Sequence, residues 1–104
     1  MADLIQKQWH DQLKSDLNAV VIDVRTQMEM EEGYIPRAIN VDIYNGQEFI
    51  ESIMKLDKNK SYYVYCKSGG RSAQACAYMQ QTGFEKVYNL LGGFHDWQGE
   101  ISNN

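Results

Sequence analysis

The chain has 104 residues, of which 43% are hydrophobic and 23% are charged, and it carries a formal net charge of −4. This length corresponds to one domain, and the composition is that of a globular chain, which argues against a disordered protein. The acidic balance argues against a general affinity for nucleic acid or for a membrane surface. Any anion site must therefore come from a local group of residues.

No stretch of the sequence approaches the ~18 consecutive apolar residues of a membrane-spanning helix. The first residues also lack the charged-then-apolar layout of a signal peptide, so we expect a cytoplasmic protein. We predict one domain over residues 1–104, in which residues 102–104 form a loose tail.

The first half of the chain alternates between helical spacing and apolar strands. Trp9 and Leu13 mark a short helix. Residues 20–24 follow as a nearly continuous apolar run of β-branched side chains, which is typical of a central strand covered on both faces of a parallel sheet. A weaker candidate strand lies at residues 38–41.

The second half continues this alternation. A helix is indicated by one apolar stripe, formed by Phe49, Ile50, Ile53 and Met54. A second buried strand is predicted over residues 62–66, and a helix over residues 72–82 that stops at Gly83. A strand at 87–91 and a short helical turn at 94–99 complete the chain. Strands separated by helices predict an α/β domain with a mainly parallel sheet.

The two cysteines, Cys66 and Cys76, do not suggest a disulfide framework or a zinc site, because zinc sites normally need four ligands at paired spacing. We therefore predict no metal site and two free thiols in a reducing compartment. Cys76 shares a face of the predicted helix with Ala73, which favours packing as a small hydrophobic side chain. A resolving thiol is the alternative role for Cys76.

Cys66 ends the predicted strand 62–66 and faces the start of the following helix. In parallel sheets, sites form at the carboxyl ends of strands, where helix N-termini offer unpaired N–H groups and partial positive charge. Lys67 and Arg71 add two formal positive charges. These features favour the thiolate form, so Cys66 is a candidate nucleophile at neutral pH.

The residues that follow Cys66 can also bind an anion. Gly69 and Gly70 lack a Cβ, so the backbone can curl and point successive N–H groups inward around the sulfur. The candidate binding loop consists of Lys67, Ser68, Gly69, Gly70, Arg71 and Ser72. The alternative without chemistry is a buried cysteine in a glycine-containing turn between a strand and a helix.

Three segments resemble, in order, the motifs of the rhodanese-like sulfurtransferases. Residues 66–72 resemble the active-site loop Cys-x-x-Gly-x-Arg followed by Ser. Residues 21–40 resemble the upstream motif, and residues 91–97 resemble the downstream Gly-Gly-x-x-x-Trp motif. Three ordered motifs in one short chain make this resemblance specific, and it extends over residues 20–97.

The upstream motif, which usually reads Gly-His-Ile-Pro-Gly-Ala, departs from the family pattern at two positions. This chain has Tyr34 in place of the His and Arg37 in place of the second Gly. Both departures leave the loop 66–72 intact, so we expect them to affect local packing and substrate preference more than activity.

The resemblance implies a rhodanese-like α/β fold, with about five mainly parallel strands and helices on both faces of the sheet. It implies that Cys66 attacks the sulfane sulfur of thiosulfate or a polysulfide and carries that sulfur as a persulfide. A thiol or a sulfur-carrier protein then accepts the sulfur. Neither a metal nor an organic cofactor is required, and neither nucleic acid nor a membrane is expected as a partner.

Two other functions remain open. A non-catalytic rhodanese-like module would bind a partner, although such modules commonly lose the cysteine. A cysteine-based phosphatase or arsenate reductase would use Cys-x5-Arg, a cradle wide enough for tetrahedral phosphate. Here the loop from Cys66 to Arg71 is Cys-x4-Arg, and the shorter loop suits a sulfur atom.

Two charged residues near the first buried strand invite an acid–base role, but structural roles fit them better. Asp23 comes at the end of that strand, where a carboxylate can accept backbone N–H bonds. Arg25 can pair with Glu29 or Glu32. We therefore assign neither Asp23 nor Arg25 to the chemistry.

Overall fold

A five-stranded parallel sheet forms the centre of the protein, in a computed structural model that describes residues 2–103. The strands are β1 (Ala2–Leu4), β2 (Ala19–Asp23), β3 (Ile39–Asn40), β4 (Ser61–Tyr65) and β5 (Val87–Leu90). Their order across the sheet is β1-β5-β4-β2-β3, and each neighbouring pair runs parallel. The predicted parallel α/β fold is therefore confirmed.

Helices cover both faces of this sheet, as predicted. They are α1 (Gln6–Ser15), α2 (Gln27–Glu31), α3 (Gly46–Met54) and α4 (Gly70–Gln81), followed by a 3₁₀ turn at Phe94–Asp96. On one face, Trp9 of α1 packs in a cluster with Tyr63. On the other face, Phe49 of α3 and Met79 of α4 pack in a cluster with Val64. Within residues 2–103, no helix is both long and apolar enough to cross a membrane.

The central strand β4 is buried along its whole length, as its continuous apolar sequence predicts. Because side chains alternate across a strand, Tyr62 and Val64 enter the core beneath α3 and α4. Tyr63 and Tyr65 enter the core beneath α1. Cys66, which follows the strand, belongs to the same core as Val64. The strand therefore places this cysteine at the carboxyl edge of the sheet, on the side covered by α4.

The boundaries next to this cysteine differ slightly from the prediction. Strand β4 ends at Tyr65, so Cys66 begins the loop rather than ending the strand. Helix α4 begins at Gly70, two positions before Ser72. The loop is consequently shorter than predicted. Gly69 caps the helix, and Gly70 is its first residue.

The apolar stripe on α3 is narrower than predicted. Phe49 and Ile53 are buried, whereas Ile50 and Met54 are 40% and 52% exposed. The face of α3 that packs on the core is therefore limited to Phe49 and Ile53.

Two short elements were not predicted. Strand β1 has three residues and pairs with β5 at the edge of the sheet, so its sequence is too short to show alternation. Helix α2 has five residues, none of them buried, and begins with a capping box between Thr26 and Glu29. Without a buried face, α2 has no apolar periodicity to reveal it.

The carboxyl-terminal segment is not loose throughout, which corrects the prediction for residues 102–104. Ser102 pairs with Tyr34 in an antiparallel bridge. The N–H of Tyr34 donates to the carbonyl of Ser102 at 2.9 Å, and the reverse bond measures 2.8 Å. Asn104, the last residue of the predicted tail, lies outside the described residues.

Arg37 adopts a left-handed backbone conformation, with a φ of 72°. Within residues 2–103 it is the one non-glycine residue with a positive φ. Glycine enters this region without a steric cost, which explains why the resembling family motif has Gly at this position. Arginine at this position therefore raises the conformational energy of the backbone. The Arg37 side chain itself is exposed.

Replacing Arg37 with glycine is expected to raise the free energy of unfolding by about 0.5–1 kcal/mol. The left-handed conformation costs an L-residue ~1–2 kcal/mol, and the greater freedom of glycine in the unfolded chain offsets part of the gain. Chemical denaturation of the wild type and Arg37→Gly measures the difference. Lys55→Gly is the matched control, because Lys55 is an exposed basic residue with a φ of −83°. The control is expected to lose stability, and an equal loss in both variants would contradict the strain at Arg37.

Candidate active site

The carboxyl end of β4 and the amino end of α4 are joined by a loop of residues 66–69. Cys66 is fully buried, whereas Lys67 and Ser68 are exposed. Gly69 caps α4 with a φ of 107°, a conformation that L side chains rarely adopt. The chain therefore turns sharply enough at Gly69 to fold its backbone back over the sulfur.

The Sγ atom of Cys66 accepts hydrogen bonds from Gly69 and Ser72. The backbone N–H of Gly69 lies 3.1 Å from the sulfur, and the hydroxyl of Ser72 lies 3.3 Å from it. Both donors belong to the cap or first turn of α4, where N–H groups have no partner within the helix. The structure thus brings Gly69 and Ser72 around the sulfur, as the predicted anion cradle requires.

These contacts determine the acidity of the cysteine. Burial by itself would raise the pKa of the Cys66 thiol, because burial disfavours the charged thiolate. The hydroxyl and N–H of Ser72, together with the N–H groups of Gly69 and Ser68, favour the thiolate and hold the pKa below its ordinary value. The donors of the loop therefore favour the thiolate, which is the form of cysteine that acts as a nucleophile.

The positive charge of Arg71, which we expected to favour the thiolate, is compensated by a carboxylate. Its Nη1 and Nη2 atoms lie 2.7 Å and 2.9 Å from the two carboxylate oxygens of Glu29. The hydrogen bonds from Arg71 hold the pKa of Glu29 at about 2, and the same pair raises the pKa of Arg71. The Cζ atom of Arg71 also lies 5.5 Å from the centre of the Tyr44 ring.

Arg25 pairs with Asp23, which corrects the predicted pairing with Glu29 or Glu32. The pair is buried, and Nη2 of Arg25 lies 2.7 Å from Oδ2 of Asp23. The carboxylate of Asp23 also accepts the backbone N–H of Arg25 at 2.8 Å, which is the kind of contact predicted for it. Arg25 further donates to the carbonyl of Gly33 at 2.8 Å. These bonds fix the segment that leads from β2 through α2, where Glu29 lies.

The downstream Gly-Gly-x-x-x-Trp segment holds the loop from outside. The N–H of Phe94 donates to the carbonyl of Cys66 at 2.8 Å, and the N–H of His95 donates to the carbonyl of Lys67 at 2.9 Å. A Cβ on Gly93 would lie 2.5 Å from the Lys67 carbonyl oxygen and 2.6 Å from that of Cys66. Only glycine can therefore occupy position 93 while the two segments remain this close.

Gly70, the second glycine of the predicted loop, is not required by the local geometry. A Cβ on Gly70 would meet no atom within 4 Å, and Gly70 already belongs to α4. The prediction that both glycines free the backbone is therefore supported by the geometry at Gly69 and not at Gly70.

Sequence reasoning missed Asn89 as a support of the loop. This side chain is 1% exposed at the carboxyl end of β5. Its Nδ2 atom donates to the carbonyl of Gly69 at 3.3 Å and to the carboxylate of Asp3 at 2.9 Å. The sequence pattern that could have revealed this role is the single polar amide in the otherwise apolar strand β5.

The thiol of Cys76 differs from that of Cys66 in the direction in which its pKa is shifted. Cys76 is fully buried in α4, and burial raises the pKa of its thiol to about 12. A thiol held in its protonated form supports the packing role predicted for Cys76. Among residues 2–103, no three His, Cys, Asp or Glu side chains are grouped so that they could hold a metal ion.

Comparisons with known proteins connect this geometry to a family. Residues 6–100 match the family described as the rhodanese-like domain. The chain is 37% identical over 90 residues to thiosulfate sulfurtransferase GlpE of Coxiella burnetii, covering 86% of this chain and 79% of that protein. It is 37% identical over 81 residues to a sulfurtransferase of Allochromatium vinosum, covering 77% and 72% of the two chains.

Solved structures share the same architecture. The crystal structure of a rhodanese-like domain protein from Staphylococcus aureus superposes with a TM-score of 0.85 at 28% identity, covering 100% of this chain and 99% of that one. The sulfurtransferase relatives support sulfur transfer in general as the activity of this enzyme. The chain belongs to the rhodanese-like domain family.

Proposed function

We propose that the protein transfers sulfane sulfur through a persulfide on Cys66. The observation that carries the proposal is the buried sulfur of Cys66, which accepts hydrogen bonds from Gly69 and Ser72 and whose pKa is lowered by them. The donor is thiosulfate or a polysulfide, and the acceptor is a thiol or a sulfur-carrier protein. The protein would act without a metal or an organic cofactor.

In the first step, the Cys66 thiolate attacks the sulfane sulfur of thiosulfate. A bond forms between Sγ and the sulfane sulfur, and the original sulfur–sulfur bond breaks. The electron pair of that bond leaves with sulfite, so the cysteine becomes a persulfide anion. In the second step, an acceptor thiolate attacks the outer sulfur of the persulfide, and the electron pair returns to Sγ.

The loop contributes hydrogen-bond donors to the anions of both steps. A sulfur anion in a buried position persists only if fixed donors replace the lost water. The N–H groups of Ser68, Gly69 and Ser72 are held by the backbone geometry of the loop, so they need no rearrangement as charge moves outward. Lys67 is exposed beside the loop and provides a screened positive charge for approaching anions.

The charge pairing of Arg71 favours this proposal over a cysteine-based phosphatase. A phosphatase loop relies on a guanidinium to neutralise the charge of the phosphate that it binds. Here both Nη atoms of Arg71 bind Glu29. A phosphate would therefore meet a guanidinium whose charge is already compensated, in a loop that is also one residue shorter than Cys-x5-Arg.

Incubation with thiosulfate is expected to add the mass of one sulfur atom to the intact protein. Mass spectrometry after digestion should place this sulfur on the peptide that contains Cys66, and cyanide should remove it as thiocyanate. Cys66→Ser should show no adduct and no turnover, because serine is far less acidic and cannot hold a persulfide. Cys76→Ser is the matched control and should keep the adduct.

Three results would contradict the proposal. An adduct on Cys76 would show that Cys66 is not the residue that accepts the sulfur. An adduct resistant to cyanide would show that the bound sulfur cannot be transferred. A protein that takes up no sulfur and binds a partner through this face would instead be a non-catalytic module.

Ser72→Ala is expected to raise the pKa of the Cys66 thiol. The thiolate fraction rises with pH through this pKa, so losing one donor should move the midpoint of alkylation by iodoacetamide upward by roughly one pH unit. The rate of alkylation as a function of pH measures the midpoint. Ser68→Ala is the matched control, because Ser68 acts on the sulfur through its backbone N–H, which alanine retains. Identical profiles for Ser72→Ala and the wild type would exclude the Ser72 hydroxyl as a determinant of acidity.

A further inference from the structure

The guanidinium of Arg71 is bound by a carboxylate that is itself held in place. Oε1 of Glu29 accepts the N–H of Thr26 at 3.1 Å and its hydroxyl at 3.2 Å. The hydroxyl oxygen of Thr26 in turn accepts the N–H of Glu29 at 3.2 Å, which completes a capping box at the start of α2. The Glu29 carboxylate thus occupies its position opposite Arg71 through contacts within its own helix.

The pair is shielded enough for its charges to compensate each other. The side chains of Arg71 and Glu29 are 19% and 28% exposed, and the ring of Tyr44 lies beside the guanidinium. At such a partly buried position, two opposite charges in bidentate contact attract more strongly than they would in water. The charge that an incoming anion meets beside the loop therefore depends on Glu29 as well as on Arg71 and on the exposed, screened Lys67.

We propose that Glu29 is a specificity-determining residue, which compensates the charge of Arg71 and so favours sulfane-sulfur donors with one negative charge over the dianion thiosulfate. This inference rests on the proposed function of Cys66. Its substrate class comprises organic thiosulfonates and organic persulfides. With methanethiosulfonate, the sulfane sulfur bonds to Sγ, the sulfur–sulfur bond breaks, and methanesulfinate leaves with the electron pair.

The main test changes the charge of Glu29 and keeps its shape. Glu29→Gln keeps the capping box, because glutamine also serves at that position, while Arg71 loses its counter-charge. The ratio of kcat/KM for thiosulfate to kcat/KM for methanethiosulfonate should rise about tenfold over the wild type. This ratio should also fall more steeply with ionic strength in the variant, since the uncompensated charge is open to screening. Glu31→Gln removes the same charge from an exposed position on the same helix and should leave the ratio unchanged.

A second variant tests the same idea in the opposite direction. Arg71→Gln leaves the negative charge of Glu29 uncompensated, so the ratio for thiosulfate over methanethiosulfonate should fall below that of the wild type. This variant keeps the inference testable if Glu29→Gln does not fold. Equal ratios in the wild type, Glu29→Gln and Arg71→Gln would overturn the role of Glu29.

Alkylation of Cys66 separates this inference from the proposed function. Iodoacetate is an anion and iodoacetamide is neutral, and the ratio of their rates cancels any change in the thiolate fraction. Glu29→Gln should raise the iodoacetate-to-iodoacetamide ratio several-fold over both the wild type and Glu31→Gln. An unchanged ratio overturns the inference even if Cys66 takes up sulfur from both donors. A raised ratio in a protein that takes up no sulfur overturns the proposed function and leaves the electrostatic role of Glu29 standing.

Discussion

A sulfur atom that is cut off from water can carry a negative charge only if hydrogen-bond donors surround it. The rest of the structure around Cys66 follows from this requirement. Strand β4 is buried on both faces and leads the cysteine to a position without solvent access. The cap and first turn of α4 then supply an N–H and a hydroxyl to the sulfur. Without these donors, burial would keep the thiol protonated, as it does for Cys76.

Charges at the carboxyl edge of the sheet are compensated in pairs. Arg25 binds the carboxylate of Asp23, and Arg71 binds that of Glu29. The Arg71–Glu29 pair joins α4 to α2, and Arg25 joins the segment after β2 to the carbonyl of Gly33. The arginines therefore hold together the segments around the sulfur. In the function that we propose, neutral donors face the sulfur anion, and this arrangement gives little advantage to a dianionic substrate.

The fold and the position of the candidate nucleophile could be predicted from local sequence patterns. Continuous apolar runs revealed β2 and β4, and the cysteine, glycines and arginine after β4 revealed the loop. The partner of Arg71 could not be found in this way, because Glu29 lies 42 residues away and local spacing carries no information on such a contact. The backbone of Arg37 and the short strand β1 also escaped prediction, since a strained φ and a three-residue edge strand leave no periodicity.

The place of β5 in the sheet has a consequence for biosynthesis. This strand lies between β1 and β4, and Leu90 pairs with Leu4 at the other end of the chain. A chain still attached to the ribosome therefore holds β1 without its neighbour until β5 has emerged, and long-range pairing of this kind forms late. The contacts that Phe94 and His95 make with the cysteine loop come later still. The loop around Cys66 thus reaches its final geometry only when the sheet is complete. In a nascent chain, the Cys66 thiol lacks the contacts that the last segment makes with its loop.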